Sequence, residues 1–248
     1  MDHELRLLRG AVLLRPADGS RDAGTGRSRA RCEAGDRAEP QHAGRGAPGP
    51  PARGGIAAVR RLQPGRARPG EDAFPGKPPR ELVCTHFHYD HVGGVREFAA
   101  DGDLTVHVGT PSVAFFERAL AAPHEVDPDR LATTPAKTTV RGIDDTLTFE
   151  TAGGGTVSVH RIVSDHADDM VIVHVSSGKL VFNSDRWNPT PAPPAPADQR
   201  GRLTTELYDA IQALGLDVDT VVGGHRGSDG TTWAHAAPLE YLKRAAGY

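Results

Sequence analysis

The densest group of potential metal ligands in this chain lies in one short segment beyond residue 80. Three histidines and an aspartate fall within six residues, namely His86, His88, Asp90 and His91. Residues 81–85 before them form a short apolar run, which predicts a buried strand. A loop after a strand lets alternate side chains converge on one point, and neutral imidazoles with a carboxylate are ligands that suit zinc. This segment therefore predicts a metal site.

The order H-x-H-x-D-H-x-x-G, which begins at His86 and ends at Gly94, resembles the signature of the metallo-β-lactamase fold superfamily, a large group of metal-dependent hydrolases. Three more positions of that family's pattern are filled downstream in the expected order, by His166, Asp185 and His225. The resemblance covers about residue 75 to the C-terminus. The surroundings of His166 and Asp185 are more similar to the poorly characterised hydrolase members than to the antibiotic-degrading lactamases.

The resemblance implies a site for two divalent metal ions, with Zn²⁺ as the expected metal. It implies that the first ion is held by His86, His88 and His166. It implies that the second is held by Asp90, His91 and His225, with Asp185 bridging both ions. Two such ions lower the pKa of a shared water towards about 7 and so supply a metal-bridging hydroxide as nucleophile. Asp90 is the expected catalytic residue, because it could orient the nucleophile and pass a proton to the leaving group.

The expected function is hydrolysis of a small-molecule ester, thioester, lactone or amide, with the substrate-binding residues unassigned. A mononuclear iron dioxygenase on the same fold, whose single iron is held by two histidines and an aspartate, is an alternative. A nucleic-acid phosphodiesterase is disfavoured, because residues 81–248 carry 13 Lys and Arg against 23 Asp and Glu, whereas a phosphate backbone attracts basic surface. An inactive truncated or frameshifted member is the last alternative.

Several residues near these motifs are interpreted as structural. His107 and His160 lie within strand patterns. Cys84 is interpreted as a small hydrophobic residue packed within a buried strand. The two aspartates beside His166 are interpreted as solvated loop residues or as groups just outside the ligand shell. Three side chains that flank ligands could line a substrate pocket: Tyr89, Trp187 and Asn188.

The chain after residue 77 alternates between strand and helix patterns, which predicts an α/β protein. Strands are predicted over residues 81–85, 104–108, 145–149, 157–162, 170–175, 179–182 and 220–222, and helices over 92–100, 203–214 and 234–246. Thr110 and Pro111 are predicted as the N-cap and first residue of a further helix. The family resemblance makes the expected fold a four-layer αββα sandwich of two mixed sheets, with an irregular or incomplete N-terminal part.

Residues 1–74 are predicted to be a low-complexity segment, disordered or aberrant, and residues 75–248 the metallo-β-lactamase-like domain. Residues 15–55 contain no Val, Ile, Leu, Met, Phe, Tyr or Trp, so they have too little apolar surface to offset the entropy of ordering. Only residues 5–14 and 56–62 could pair or pack in this part. We interpret much of it as out-of-frame translation of a GC-rich gene; the coding DNA in another frame should then show alternating strands upstream of residue 75.

The composition excludes several other classes of protein. No run of about 18 apolar residues is present, so no membrane span is predicted. The first residues lack a signal-peptide pattern and two cysteines cannot build a disulfide framework, so a cytoplasmic location is expected. Neither a nucleic-acid nor a membrane partner is expected, and the oligomeric state stays open.

Overall fold

The computed structural model describes residues 3–8, 11–16, 79–151, 154–189, 201–225 and 236–248. A first sheet contains the five strands β1 (His3–Leu8), β2 (Ala11–Pro16), β3 (Glu81–Cys84), β4 (Leu104–Gly109) and β5 (Thr138–Ile143), adjacent in that order. The first three strands pair antiparallel, whereas β3, β4 and β5 run parallel to one another. The sheet is therefore mixed.

A second mixed sheet follows along the chain. It contains β6 (Thr146–Glu150), β7 (Thr156–Arg161), β8 (Val171–Val175), β9 (Leu180–Ser184), β10 (Thr220–Gly223) and β11 (Ala236–Pro238). The spatial order is β11-β10-β9-β8-β7-β6. Strands β9 and β10 are parallel, and the other neighbours are antiparallel.

Helices flank both sheets. They are α1 (Tyr89–Val92), α2 (Val95–Ala99), α3 (Val113–Ala121), α4 (Arg130–Thr133), α5 (Arg202–Ala213) and α6 (Leu239–Ala245). None of the helices within the described residues is long and apolar enough to cross a membrane.

Three hydrophobic cores separate four layers. Because successive side chains of a strand point to opposite faces, Leu82 of β3 packs in a core with the helices α2 and α3, whereas Val83 packs in a core between the sheets. On β8, Val173 joins the core between the sheets and Ile172 joins a third core beneath α5 and α6. The layers are helices, sheet, sheet and helices, which confirms the expected αββα sandwich of two mixed sheets.

Three helix predictions need correction. The helix predicted over 92–100 is split into α1 and α2 at Gly93, where a Cβ would lie 2.8 Å from the Tyr89 carbonyl oxygen. Thr110 and Pro111 do not cap α3 but lie in a 3₁₀ turn before it. The N-cap of α3 is Ser112, and the Thr110 hydroxyl donates to Asp144 Oδ1 at 2.8 Å.

At the C-terminus, the helix predicted over 234–246 begins only at Leu239, because residues 236–238 form β11 against β10. Pro238 limits the length of this edge strand, since proline has no backbone N–H to donate to a neighbouring strand. Of the proline-rich residues 189–196, only Pro189 belongs to the described residues.

Strands β1 and β2 lie within residues 1–74, the segment that was predicted from its composition to be disordered or aberrant. They extend the first sheet from β3, through pairs such as Val12 with Val83. Residues 17–78, including the stretch 56–62 and most of 15–55, lie outside the described residues. The domain boundary and the frame hypothesis therefore stay predictions.

Candidate metal centre

The structure brings all seven predicted ligands together in two groups of four, each of which could hold a metal ion. The first group joins two histidines of the loop after β3 with one from the loop between β7 and β8. His86 Nε2 lies 3.1 Å from His88 Nδ1 and 3.3 Å from His166 Nε2. Three ring nitrogens thus face one another at one end of the first sheet.

The second group combines helix α1 with the end of β10. His91 Nε2 lies 3.2 Å from His225 Nε2 and 3.3 Å from Asp90 Oδ2. His225 Nε2 is 3.6 Å from the same Asp90 oxygen. Asp90 and His91 are adjacent in α1, whereas His225 arrives from a strand more than 130 residues later in the sequence.

Asp185, which directly follows β9, is the residue that belongs to both groups. Its Oδ1 lies 2.9 Å from His91 Nε2 and 2.8 Å from His225 Nε2. Its Oδ2 lies 3.3 Å from His166 Nε2 and 3.7 Å from His86 Nε2, and it is also 3.0 Å from His91 Nε2. The Asp185 carboxylate therefore contacts histidines of both groups, which is what a bridging ligand needs.

The topology explains why these side chains meet. β9 and β10 are parallel and β8 is antiparallel to β9, so the ends of β9 and β10 lie at the same edge as the start of β8. The first sheet is tied to this edge by the Val171 backbone N–H, which donates to the Thr85 carbonyl oxygen at 2.9 Å. Ligands from both sheets are thus delivered to one place.

Close backbone approach is required where His225 enters. A Cβ on Gly223 would lie 2.8 Å from the Trp187 carbonyl oxygen, so glycine is needed there. The His225 backbone N–H donates to Asn188 Oδ1 at 3.2 Å. Asn188, predicted as a pocket residue, therefore supports a candidate ligand, and Trp187 packs against the core beneath α5 and α6. Tyr89 is strongly exposed.

The electrostatics favour the neutral forms of His86 and His166 and the ionised form of Asp185. Burial, together with the neighbouring His91, lowers the pKa of His86 to about 3. Burial likewise lowers the pKa of His166. Burial alone would raise the pKa of Asp185, but hydrogen bonds from His225 and His91 hold it far below its ordinary value.

This donor set fits a metal. Neutral ring nitrogens offer lone pairs, and several lone pairs facing one point are favourable only around a cation. In a tetrahedral zinc site with metal–nitrogen bonds of about 2.0–2.1 Å, ligand nitrogens lie about 3.3 Å apart. The separations of 3.1 and 3.3 Å around His86 Nε2 agree with that value.

The residues interpreted as structural lie outside both groups. His107 Nε2 is 2.6 Å from Glu81 Oε2, and His160 contacts Thr146 and a serine of its own strand. Cys84 is buried, and burial raises the pKa of its thiol.

The two aspartates after His166 differ from each other. Asp168 is exposed, as a solvated loop residue should be. Asp169 is buried, and burial raises the pKa of its carboxyl group. Of the two interpretations of Asp169, its burial contradicts the solvated loop residue, and the group just outside the ligand shell stays a prediction.

Sequence reasoning missed Arg186, whose side chain is fully buried directly after the shared aspartate. Its guanidinium donates to the Ser164 hydroxyl, to Glu206 and to the Leu203 carbonyl oxygen. The Ser164 hydroxyl in turn accepts a hydrogen bond of 2.9 Å from the His166 backbone N–H. Arg186 thus ties the His166 loop to α5, and the available signal was a charged residue next to a ligand.

The fold and the site together define an α/β sandwich protein with a histidine- and aspartate-rich cluster where its two sheets meet. A sequence model of the metallo-beta-lactamase superfamily matches residues 22–225. The chain belongs to the metallo-beta-lactamase superfamily, as the sequence motif predicts.

Solved structures with a similar fold include proteins of different kinds. A metallo-beta-lactamase from Hirschia baltica is 19% identical, with 71% of this chain and 70% of that chain covered and a TM-score of 0.44. One from Pontibacter korlensis is 17% identical, with 66% of each chain covered and a TM-score of 0.43. A flavodiiron core from Synechocystis sp. is 10% identical, with 66% of this chain and 41% of that chain covered and a TM-score of 0.44. No curated protein matches the chain in sequence.

Proposed function

We propose that this chain is a dinuclear metal-dependent hydrolase, with Zn²⁺ as its metal, that acts on a small ester, thioester, lactone or amide. The observation that carries the proposal is the position of Asp185, whose carboxylate contacts histidines of both groups. A mononuclear site needs no such shared ligand. The geometry therefore favours two ions over the single iron of a dioxygenase.

When bound, two divalent ions would supply hydroxide by lowering the pKa of water towards about 7 and would polarise the oxygen on which charge develops. The chain's own residues hold these ions in place. His86, His88 and His166 would hold one ion, and Asp90, His91 and His225 the other. Asp185 would supply the negative charge that both ions share.

The two carboxylates would have different roles because they differ in exposure. The Asp185 side chain is 11% exposed and lies among four ring nitrogens, so it is a structural ligand. The Asp90 side chain is 28% exposed and belongs to the second group alone. Asp90 is therefore the carboxylate that an incoming substrate can reach, and we assign it to hold the nucleophile in line and to carry a proton to the leaving group.

Small-molecule substrates are proposed rather than nucleic acids, because the chain beyond residue 80 is acidic. The test is a panel of ester, thioester, lactone and amide substrates assayed with purified protein before chelation, after chelation and dialysis, and after addition of Zn²⁺, Mn²⁺ or Fe²⁺. We expect hydrolysis to be lost on chelation and restored by metal. Full activity after exhaustive chelation, or oxygen consumption in place of hydrolysis, would contradict the proposal.

A further inference from the structure

Two buried hydroxyl groups connect a histidine of one ligand group to a histidine of the other. Thr85 Oγ1 lies 3.2 Å from His86 Nδ1 and donates to Ser184 Oγ at 3.0 Å. Ser184 Oγ lies 3.3 Å from His91 Nδ1. All four side chains are essentially inaccessible to solvent. The path therefore runs through the protein interior behind the ligand nitrogens, without water.

The proton positions along this path follow from the ligand geometry. His86 and His91 both direct Nε2 at the other candidate ligands, so with an ion held at Nε2 each ring would carry its proton on Nδ1. His86 Nδ1–H then donates to Thr85 Oγ1, and His91 Nδ1–H donates to Ser184 Oγ. The Thr85 hydroxyl donates to Ser184, whose two lone pairs are then both used.

The Ser184 proton has one acceptor left in this arrangement. Ser184 Oγ lies 3.4 Å from Asp185 Oδ1, a long hydrogen bond in which the hydroxyl donates to the shared carboxylate. The hydrogen-bonded chain thus ends on the ligand common to both groups.

The backbone fixes both hydroxyl-bearing residues. The Thr85 carbonyl accepts from Val171 N at 2.9 Å, which joins the sheets at this point. The Ser184 carbonyl accepts from Gly224 N at 2.8 Å, and Ser184 has a left-handed φ of 57°. A non-glycine residue adopts this conformation only where the surroundings enforce it. Both hydroxyls are therefore held at set positions before any ion binds.

We propose that Thr85 and Ser184 are positioning residues that couple the two metal sites. By fixing the ring of His86 and the ring of His91 through one hydrogen-bonded pair, they make the geometry of one group depend on that of the other. This inference rests on the proposed dinuclear site.

The test is a stepwise Co²⁺ titration of metal-free protein against a competing chelator, with the visible absorption of bound Co²⁺ as a report on ligand geometry. The variants are Thr85→Val, which removes the hydroxyl and keeps the shape, Thr85→Ser, which keeps the hydroxyl, and Ser184→Ala. Ser158→Ala is the matched control, because it removes a serine–histidine contact of 2.8 Å, to His160, outside the site. Far-UV circular dichroism establishes that each variant is folded.

We expect Thr85→Val and Ser184→Ala each to weaken both stepwise constants about 10- to 100-fold, the usual effect of losing a partner behind a ligand histidine. The Co²⁺ absorption should change in both, and Thr85→Ser and Ser158→Ala should resemble the wild type. The double variant Thr85→Val/Ser184→Ala should be little weaker than Ser184→Ala, because the residues act through one path.

Constants within twofold of the wild type in both single variants would overturn the inference, as would a loss confined to one constant or losses that multiply in the double variant. If Thr85→Val does not fold, Ser184→Ala decides alone, since Ser184 takes part in three of the four hydrogen bonds. Wild-type protein that binds fewer than two Co²⁺ ions would instead contradict the proposed function itself.

Discussion

Replacing the shared carboxylate tests the dinuclear geometry most severely. Asp185→Ala removes one ligand from each group and leaves three side chains in each. It also removes the negative charge that lies within 2.8 to 3.7 Å of four ring nitrogens. No other member of the seven belongs to both groups, so the variant has no substitute bridge.

The magnitude follows from electrostatics. Two divalent ions about 4 Å apart repel each other by about 16 kcal/mol at an effective dielectric constant of about 20. The Asp185 carboxylate offsets part of this repulsion, so its loss should favour a single bound ion. We expect Asp185→Ala to retain one ion and to lose at least about a hundredfold in turnover, the scale of one electrostatic group in such sites.

The assay is metal content by elemental analysis after dialysis, alongside turnover on the best substrate of the panel. His107→Ala is the matched control: it removes a buried histidine that pairs with Glu81 outside both groups, so metal content and turnover should hold while stability falls. Equal metal content and equal rates in Asp185→Ala and wild type would refute the assignment of the bridge.

Three further predictions concern stability, each measured as the free energy of unfolding in urea. Arg186→Met should cost about 2 kcal/mol, because the hydrogen bonds of a buried guanidinium, including that to Glu206, are lost; an unchanged free energy would contradict its anchoring role. Gly109→Ala should cost about 3 kcal/mol, since the new Cβ would lie 2.2 Å from a backbone oxygen; a wild-type value would disprove that close contact. The hydrogen bond from Arg96 holds the pKa of Asp129 below its ordinary value, so its stabilisation is present above pH about 4 and is lost as the pH falls. Asp129→Asn should therefore be less stable than wild type at pH 7 and change less on acidification, and parallel pH profiles would show this to be wrong.

Most of the fold could be predicted from the sequence, because the hydrophobic patterns that indicate strands and helices are local. Strand β8 was predicted from its run of buried apolar residues, and it packs between two cores, with Val173 on one face and Ile172 on the other. Strand β5 was missed, because most of its residues are at least partly exposed at the edge of the first sheet and leave only a weak apolar pattern. Strand β11 was missed as well, since Ala236 and Ala237 favour a helix and only pairing with β10 makes them a strand.

The candidate ligands could be predicted from the sequence for a different reason. His86 to His91 are close in sequence, and the later ligands stand at strand ends in a family order. The supporting contacts were not readable in this way. Thr85 and Ser184 are 99 residues apart, and nothing in their local sequences indicates that their hydroxyls meet. Contacts of this kind depend on how the two sheets are packed, which a single sequence does not display.

The central claim is that these seven side chains hold two metal ions. Its most direct test is to dialyse metal-free full-length protein against micromolar Zn²⁺, remove unbound metal, and count bound ions per chain by elemental analysis, with Asp185→Ala in parallel. We predict two equivalents for the wild type and one for the variant. One equivalent or none in folded wild-type protein would contradict the dinuclear site.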